Sequence, residues 1–252
     1  MHIVSYNVNG IRAAMSKGLL NWMEELKADV YCFQETKASR EQIDHGEFDA
    51  LGYKSYWFSA EKKGYSGTAI FTKLEPTHIE FGFGNKDWDN EGRIIRCDFG
   101  DISVASLYIP SGSSGDLRQD FKMKWLAFFQ DYVNKLKKKK TNLIICGDYN
   151  ICHKPIDIHD PIGNKNSSGF LPEEREWMDQ FIQSGFVDTF REFHPEPHQY
   201  SWWTFRANAR NNNKGWRIDY CMATQTLKNK IKDAGILQEV KHSDHCPVWV
   251  KL

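Results

Sequence analysis

Leu143-Ile144-Ile145-Cys146-Gly147-Asp148-Tyr149-Asn150 is the stretch on which the reading of this chain turns. A short apolar run bounded by polar punctuation predicts a buried strand. Side chains just past such a strand are held rigidly yet reach a surface crevice. Strand alternation predicts that Asp148 and Asn150 point the same way. Alone, Asp-x-Asn is also ordinary turn chemistry. It gains weight because four other segments end alike. His2-Ile3-Val4-Ser5-Tyr6-Asn7 alternates as a strand does and breaks into Val8-Asn9-Gly10; Asp29 to Gln34 is an apolar run ending on Glu35. Gly215 to Tyr220 carries Asp219 inside a strand-like stretch, and Ser243-Asp244-His245-Cys246-Pro247 precedes a last strand, Val248-Trp249-Val250. Each alone reads as structural: a loop carboxylate, a buried acid, a satisfied core histidine. Together they predict a site, because sheet folds gather strand ends at one rim.

The surrounding pattern predicts strands at 2–7, 29–35, 53–59, 67–73, 78–82, 93–99, 102–109, 142–148, 199–204, 216–223 and 247–252. Helical spacing recurs at Leu19, Trp22, Met23 and Leu26, from Phe121 to Leu136, and at Trp177, Met178, Phe181 and Ile182. The last of these opens on Pro172 with Glu173, Glu174 and Glu176 and stops at Gly185, start and stop signals in the right order. Many strands with few helices predict two packed sheets with helices outside. At 252 residues, with no linker, repeat or low-complexity stretch, residues 1–252 are expected to form one α/β domain.

The formal net charge is zero, so no global field announces a polyanionic partner. Its distribution says more. From Tyr200 to Lys232 seven cations face the single acid Asp219, a local balance of +6, with six aromatics interleaved. Cations among aromatics track phosphates and stack bases or sugars, although a basic surface over a Trp-rich core has the same composition. Lys137 to Lys140 close a helical run and suit the negative end of its dipole, a solvated helix end. Gly163 to Gly169, rich in Asn and Ser, reads as an exposed loop. None of the six cysteines forms a CxxC pair, so neither zinc nor a disulfide framework is suggested. No signal-peptide pattern or membrane-length apolar run is present, and a reducing, cytoplasmic compartment is expected.

The strand ends are rich in hard oxygen ligands and poor in sulfur, a donor set that suits Mg²⁺ or Mn²⁺. Magnesium takes one or two protein carboxylates and leaves its other positions to water and phosphate. Metal-assisted phosphoester hydrolysis is the matching chemistry.

The segments SYNVNGIRA, QETK, GYSGTAIF, EGR, LYIPSG, GDYN, SGFLPEEREW, GWRIDY and SDHCP, in this order from residue 5 to residue 247, together resemble the exonuclease III family of abasic-site endonucleases. GDYN and SDH recur across the wider superfamily, whereas SGFLPEEREW and YSWW…GWRIDY mark the DNA-repair branch. The resemblance implies a four-layered α/β sandwich of two mixed sheets flanked by helices, with the site at one rim. It implies a metal bound by Glu35, with Asn7 beside it and Asp244 as a second metal-site acid. Asp148 is implied to orient or deprotonate water, Asn150 to donate to the scissile phosphate, and His245 and Tyr108 to contact it. Asp219 would hold the histidine ring. Whether Asp148 or His245 is the base stays open at this point. Trp202, Trp216 and Ile218 match a pocket for a baseless sugar, and Arg12, Lys17, Tyr65, Arg93 and Arg206 match positions along the DNA path. The implied partner is double-stranded DNA with abasic sites or 3′ ends, bound by a monomer. Asn9 stands where part of the family has Asp, and Ser111 and Ser167 where Asn is common, so the balance of substrates is open. Two rivals remain: another phosphodiesterase of the superfamily, acting for example on lipid phosphates, and a catalytically silent DNA-binding module.

Overall fold

The computed structural model describes residues 1–252. Its strands are β1 (His2–Asn7), β2 (Val30–Gln34), β3 (Lys54–Phe58), β4 (Thr68–Thr72), β5 (His78–Phe81), β6 (Ile94–Phe99), β7 (Ile102–Tyr108), β8 (Leu143–Asp148), β9 (Phe186–Asp188), β10 (Asp219–Thr224), β11 (Asp233–Ile236) and β12 (Val248–Lys251). The α-helices are α1 (Ile11–Ser16), α2 (Leu19–Leu26), α3 (Gly46–Ala50), α4 (Lys86–Asp89), α5 (Asp116–Lys139), α6 (Pro172–Gln183) and α7 (Thr189–Phe193). Two six-stranded sheets result, in the orders β11-β12-β1-β2-β4-β3 and β5-β6-β7-β8-β10-β9. In each, one parallel pair (β1 with β2, β7 with β8) sits among antiparallel neighbours, so both sheets are mixed.

Strand alternation splits the apolar residues into three layers. Ile3, Val30, Cys32, Ile144, Cys146 and Val250 face inward and form the core between the sheets. Their neighbours Val4, Tyr31 and Phe33 turn outward to meet Ile11, Leu19, Met23 and Phe48 of α1, α2 and α3. On the other side Leu143 and Ile145 pack beneath Trp125, Phe129 and Val133 of α5 and Trp177, Met178 and Phe181 of α6. Unbroken apolar runs such as Val30 to Phe33 and Leu143 to Cys146 are therefore strands buried on both faces. This is the expected four-layered α/β sandwich.

The rim follows from strand direction. Parallel strands β1, β2, β7 and β8 end there, and the antiparallel β10 and β12 begin there. Asp219, the first residue of β10, pairs with Asp148, the last of β8, and Tyr108 of β7 pairs with Asp148 as well. Gly147 permits this closeness: a Cβ there would lie 1.8 Å from the Leu107 carbonyl.

Several expectations need correction. Residues 199–204 form no ladder, because Trp202 bridges singly to Trp216 on one side and His245 on the other. Trp216 to Ile218 precede β10, whose ladder begins at Asp219. The edge strands β9 and β11 have three and four residues, too few for an alternation to be read. α6 runs from Pro172 to Gln183 as its start and stop signals predict. α5 ends at Lys139, so the lysine run is a helix end, but only in part a solvated one: Lys137 donates to the Ser184 carbonyl and Lys140 pairs with Asp98 at 2.7 Å. No helix is long and apolar enough to cross a membrane, and all six cysteines are unpaired and buried.

Candidate active site

Glu35, Asp148 and His245 each place one ligand-type atom within 4.8 Å of the others. The backbone that brings them together is strained. Glu35 and Asn150 are non-glycine residues at φ 48° and 52°, and Asn9 and Lys37 are likewise left-handed. Such conformations cost of order 1–3 kcal/mol each and cluster where geometry serves function. Asp148 and Asn150 do meet, but not by strand alternation. The strand stops at Asp148, and an Asx turn folds Asn150 back. The Asn150 backbone amide donates to Asp148 Oδ1 at 2.8 Å, and its side-chain amide lies 3.2 Å from Oδ2.

Asn7 bridges the acids. Its amide nitrogen donates to Glu35 Oε1 at 2.8 Å and to Asp148 Oδ2 at 2.9 Å, while its oxygen accepts from the Asn9 amide. Asn7, expected beside the metal, thus holds two carboxylates side by side. Asp244 also stands apart from the trio. Its oxygens accept from Asn9 Nδ2 at 2.9 Å, from Ser243 Oγ at 3.1 Å and from Trp202 Nε1 at 3.0 Å, tying the first loop to the Trp pocket.

The histidine is held from behind. Asp219 Oδ2 lies 2.9 Å from His245 Nδ1 and accepts from Ser201 Oγ at 2.6 Å. This hydrogen bond puts a proton on Nδ1 and turns Nε2 toward the cleft, 3.9 Å from Asp148 Oδ2. Burial opposes charging the ring, but Asp219, Asp148 and Asp244 outweigh it and raise the His245 pKa to about 10. Burial lifts the Asp148 carboxyl to about 7, helped by the charges of Asp219 and Glu35 and offset in part by His245. For Glu35 burial acts upward, yet Lys37, whose ammonium lies 2.8 Å from Oε2, and Asn7 bring it below the ordinary value. Burial and the Glu35 charge keep the Tyr108 phenol protonated far above neutrality.

These groups open into one cleft of about 300 Å³, lined also by Asn150, Trp202, Trp216, Ile218 and Asp244. Trp202 and Trp216 meet edge to face, ring centroids 5.9 Å apart, making one apolar wall beside the charged one. A metal ion fits the two hard carboxylates, Glu35 and Asp148, where the negative potential already draws the Lys37 ammonium onto Glu35.

Of the positions expected along a DNA path, Arg12, Lys17 and Arg206 are exposed and Tyr65 is half-buried. Arg93 is not on the surface. It is 1% exposed, donates to Glu91 at 2.7 Å and to the Tyr108 carbonyl at 3.0 Å, and stacks on the Tyr108 ring, so it braces Tyr108 from below. The basic stretch thins in the same way. Arg217 is buried against Asp157 and Asp188, and Arg210 donates to the carbonyls of Ser243, Gln238 and Val240. Sequence reasoning missed Ser113, Ser168 and Gly169, which line the cleft beside Ser111. The Asn-rich loop therefore ends in the cleft wall, and its cleft residue is Ser168, while Ser167 leans back on Asn164 at 3.3 Å. Nothing in the composition of that loop distinguishes wall from free loop.

Comparison with known proteins agrees with this geometry. The model of the Endonuclease/Exonuclease/phosphatase family matches residues 4–245. An exodeoxyribonuclease of Bacillus subtilis is 44% identical over 250 residues, covering 98% of each chain. The DNA repair nuclease APEX1 of Danio rerio is 38% identical over 255 residues, covering all of this chain and 82% of the relative. Among solved structures, an AP endonuclease from Archaeoglobus fulgidus superposes with a TM-score of 0.91 at 29% identity, over 100% of this chain and 99% of that one. The strained rim, its acid–imidazole cluster and these matches have one reading: the chain belongs to the endonuclease/exonuclease/phosphatase family.

Proposed function

We propose that this nuclease is a Mg²⁺-dependent DNA-repair enzyme that cuts the strand 5′ to abasic sites and clears nucleotides or blocking groups from 3′ ends. The observation that carries the reading is the shared cleft: a hydrolytic cluster and an apolar Trp slot open into the same 300 Å³. A lipid-phosphate hydrolase has no use for that slot, and a silent DNA-binding module has no use for Glu35, Asp148 and His245 gathered within 4.8 Å. Relatives named for exonuclease and abasic-site cleavage support it.

Glu35 would hold the ion, with Asp148 the nearest second carboxylate. When bound, Mg²⁺ supplies Lewis-acid polarisation of the phosphate. The protein's own groups supply the rest. His245, kept cationic by three acids, donates from Nε2 to a phosphate oxygen. Asp148 is assigned as the group that orients and deprotonates water, because Asn7 holds its carboxylate beside Glu35 while His245 Nε2 faces it at 3.9 Å. Tyr108 and Asn150 donate to the remaining phosphate oxygens. Trp202, Trp216 and Ile218 receive a sugar that has lost its base. Such a sugar rotates out of the duplex cheaply, having no stacking or pairing to give up. Exposed Arg12, Lys17 and Arg206, with Tyr65 at the edge, follow the phosphates. One domain spanning residues 1–252 acts as a monomer, and six unpaired cysteines suit the reducing cytoplasm.

The test is incubation with an abasic-site duplex, a recessed 3′ end and a lipid phosphoester, each with Mg²⁺ and with EDTA. Mg²⁺-dependent cleavage of the two DNA substrates is expected. Cleavage of the lipid alone, or of none, overturns the reading.

A further inference from the structure

An ion pair with no access to solvent lies behind the cleft. Lys122 of α5 and Glu174 of α6 have side chains 0% exposed, with Lys122 Nζ 2.5 Å from Glu174 Oε1. Neither side chain lines the cleft. Burying two charges is a poor route to stability, since an apolar pair of similar volume often does as well or better. Where their other hydrogen bonds go is therefore informative. Lys122 Nζ also donates to the carbonyl of Asn150 at 2.8 Å. Glu174 Oε2 accepts from the backbone amides of Gly169 at 2.6 Å and Leu171 at 3.0 Å. Gln119 donates to Glu174 Oε1 at 3.1 Å and accepts from the cleft residue Ser168 at 2.7 Å.

The bond to Leu171 caps the start of α6, and the other outward bonds lead to the cleft residues Asn150, Gly169 and, through Gln119, Ser168. Asn150 is left-handed at φ 52°, a conformation that needs outside support. Gly169 lies against Trp216: a Cβ there would be 2.9 Å from the Trp216 ring and 3.2 Å from the Asn150 carbonyl. One charge fixes the residue beside Asp148, and the other fixes the backbone behind the Trp slot. We propose that Lys122 and Glu174 form a clamp of positioning residues, acting through Asn150 and Gly169 to hold the phosphate-binding and sugar-binding sides of the cleft in register. The proposal rests on the function proposed above.

The decisive variant is Lys122→Met with Glu174→Leu, which removes both charges and refills the space. Its melting temperature is expected to fall, because the Asn150 carbonyl and the Gly169 and Leu171 amides lose their partners. Rates are therefore read well below it, and DNA affinity in EDTA is expected to be unchanged. kcat on an abasic duplex is expected to fall at least thirtyfold, with KM within threefold. Adding Asn150→Ala should then cost less than threefold more, although Asn150→Ala alone costs at least tenfold. A double variant that melts and cleaves like wild type, or a fully additive loss with Asn150→Ala, overturns the clamp. Should the double variant not fold, the isosteric Glu174→Gln decides: a fivefold or greater loss of kcat at constant KM supports the clamp, and unchanged kcat overturns it. Ratios are read in parallel on a 3′-phosphorylated nick and on bis(4-nitrophenyl) phosphate. Wild-type inactivity on the abasic duplex alone then refutes the substrate assignment without deciding the clamp, which the other two substrates decide.

Discussion

Gly169→Ala is a small perturbation whose consequence is set by the cleft wall. Gly169 has φ +95°, and an added Cβ would lie 2.9 Å from the Trp216 ring. Carbon atoms in contact sit at about 3.5–4.0 Å, so the ring or the loop must give by more than half an ångström. Backbone strain adds of order 1–3 kcal/mol. A total of about 2–3 kcal/mol is expected, or roughly 5–10 °C in Tm for a chain of this length. Misplacement of a binding wall by about 1 Å costs of order a hundredfold in rate. Well below the melting temperature, kcat/KM for abasic-site cleavage should therefore fall ten- to a hundredfold. Removal of a 3′ phosphate should fall less, since a frayed end reaches the hydrolytic cluster without filling the slot. The assay compares both substrates at saturating Mg²⁺, with Tm measured on the same samples. Abasic-site cleavage within threefold of wild type, or equal loss on both substrates, refutes the assignment of Trp216 and Gly169 to a rigid sugar pocket.

Glu35→Ala should abolish most activity at low Mg²⁺ and regain part of it as the metal is raised, because a ligand rather than a base is lost; equal loss across a Mg²⁺ titration contradicts this. Asp219→Ala and His245→Ala should be strongly non-additive in a double-mutant cycle, since Asp219 acts through the ring at 2.9 Å; additive losses in kcat separate the two. Burial alone would raise the Asp157 pKa, but Arg217 and Arg191 overcome it and bring the carboxyl down to about 2. A lowered carboxyl pKa stabilises the fold above the unfolded value and loses that contribution as pH falls through the folded one. Asp157→Asn should thus cost about 2 kcal/mol from pH 7 to 5, with the gap to wild type narrowing below about pH 4. A gap in urea denaturation that does not change with pH contradicts the ion-pair account.

The strands that build the rim were legible because they are long and buried on both faces. Leu143 to Cys146 and Val30 to Phe33 leave no polar residue to confuse the period. Glu35 and Asp148 were legible because each closes such a run. Residues that act through backbone contacts were not. Gly169 looks like any loop glycine, and its role comes from a Trp ring 47 positions on in sequence. Lys122 stands in a lysine-rich helix whose composition predicts solvent, and only packing of α5 on α6 buries it. Arg217 looks like a surface cation because its partners Asp157 and Asp188 lie in other segments, and Arg93 because Tyr108, which covers it, is fifteen residues on. The left-handed turn at Asn150 put the amide where alternation predicted it, by a different route.

The proposed function stands or falls with Asp148 as the base of a metal-assisted hydrolysis at this rim. The direct measurement is the single-turnover rate of Asp148→Asn on an abasic duplex at saturating Mg²⁺, with DNA affinity and Tm measured alongside. A loss of at least a thousandfold in rate is expected, while the protein stays folded and binds DNA as tightly as wild type. A rate within about tenfold of wild type would make Asp148 structural and contradict the mechanism.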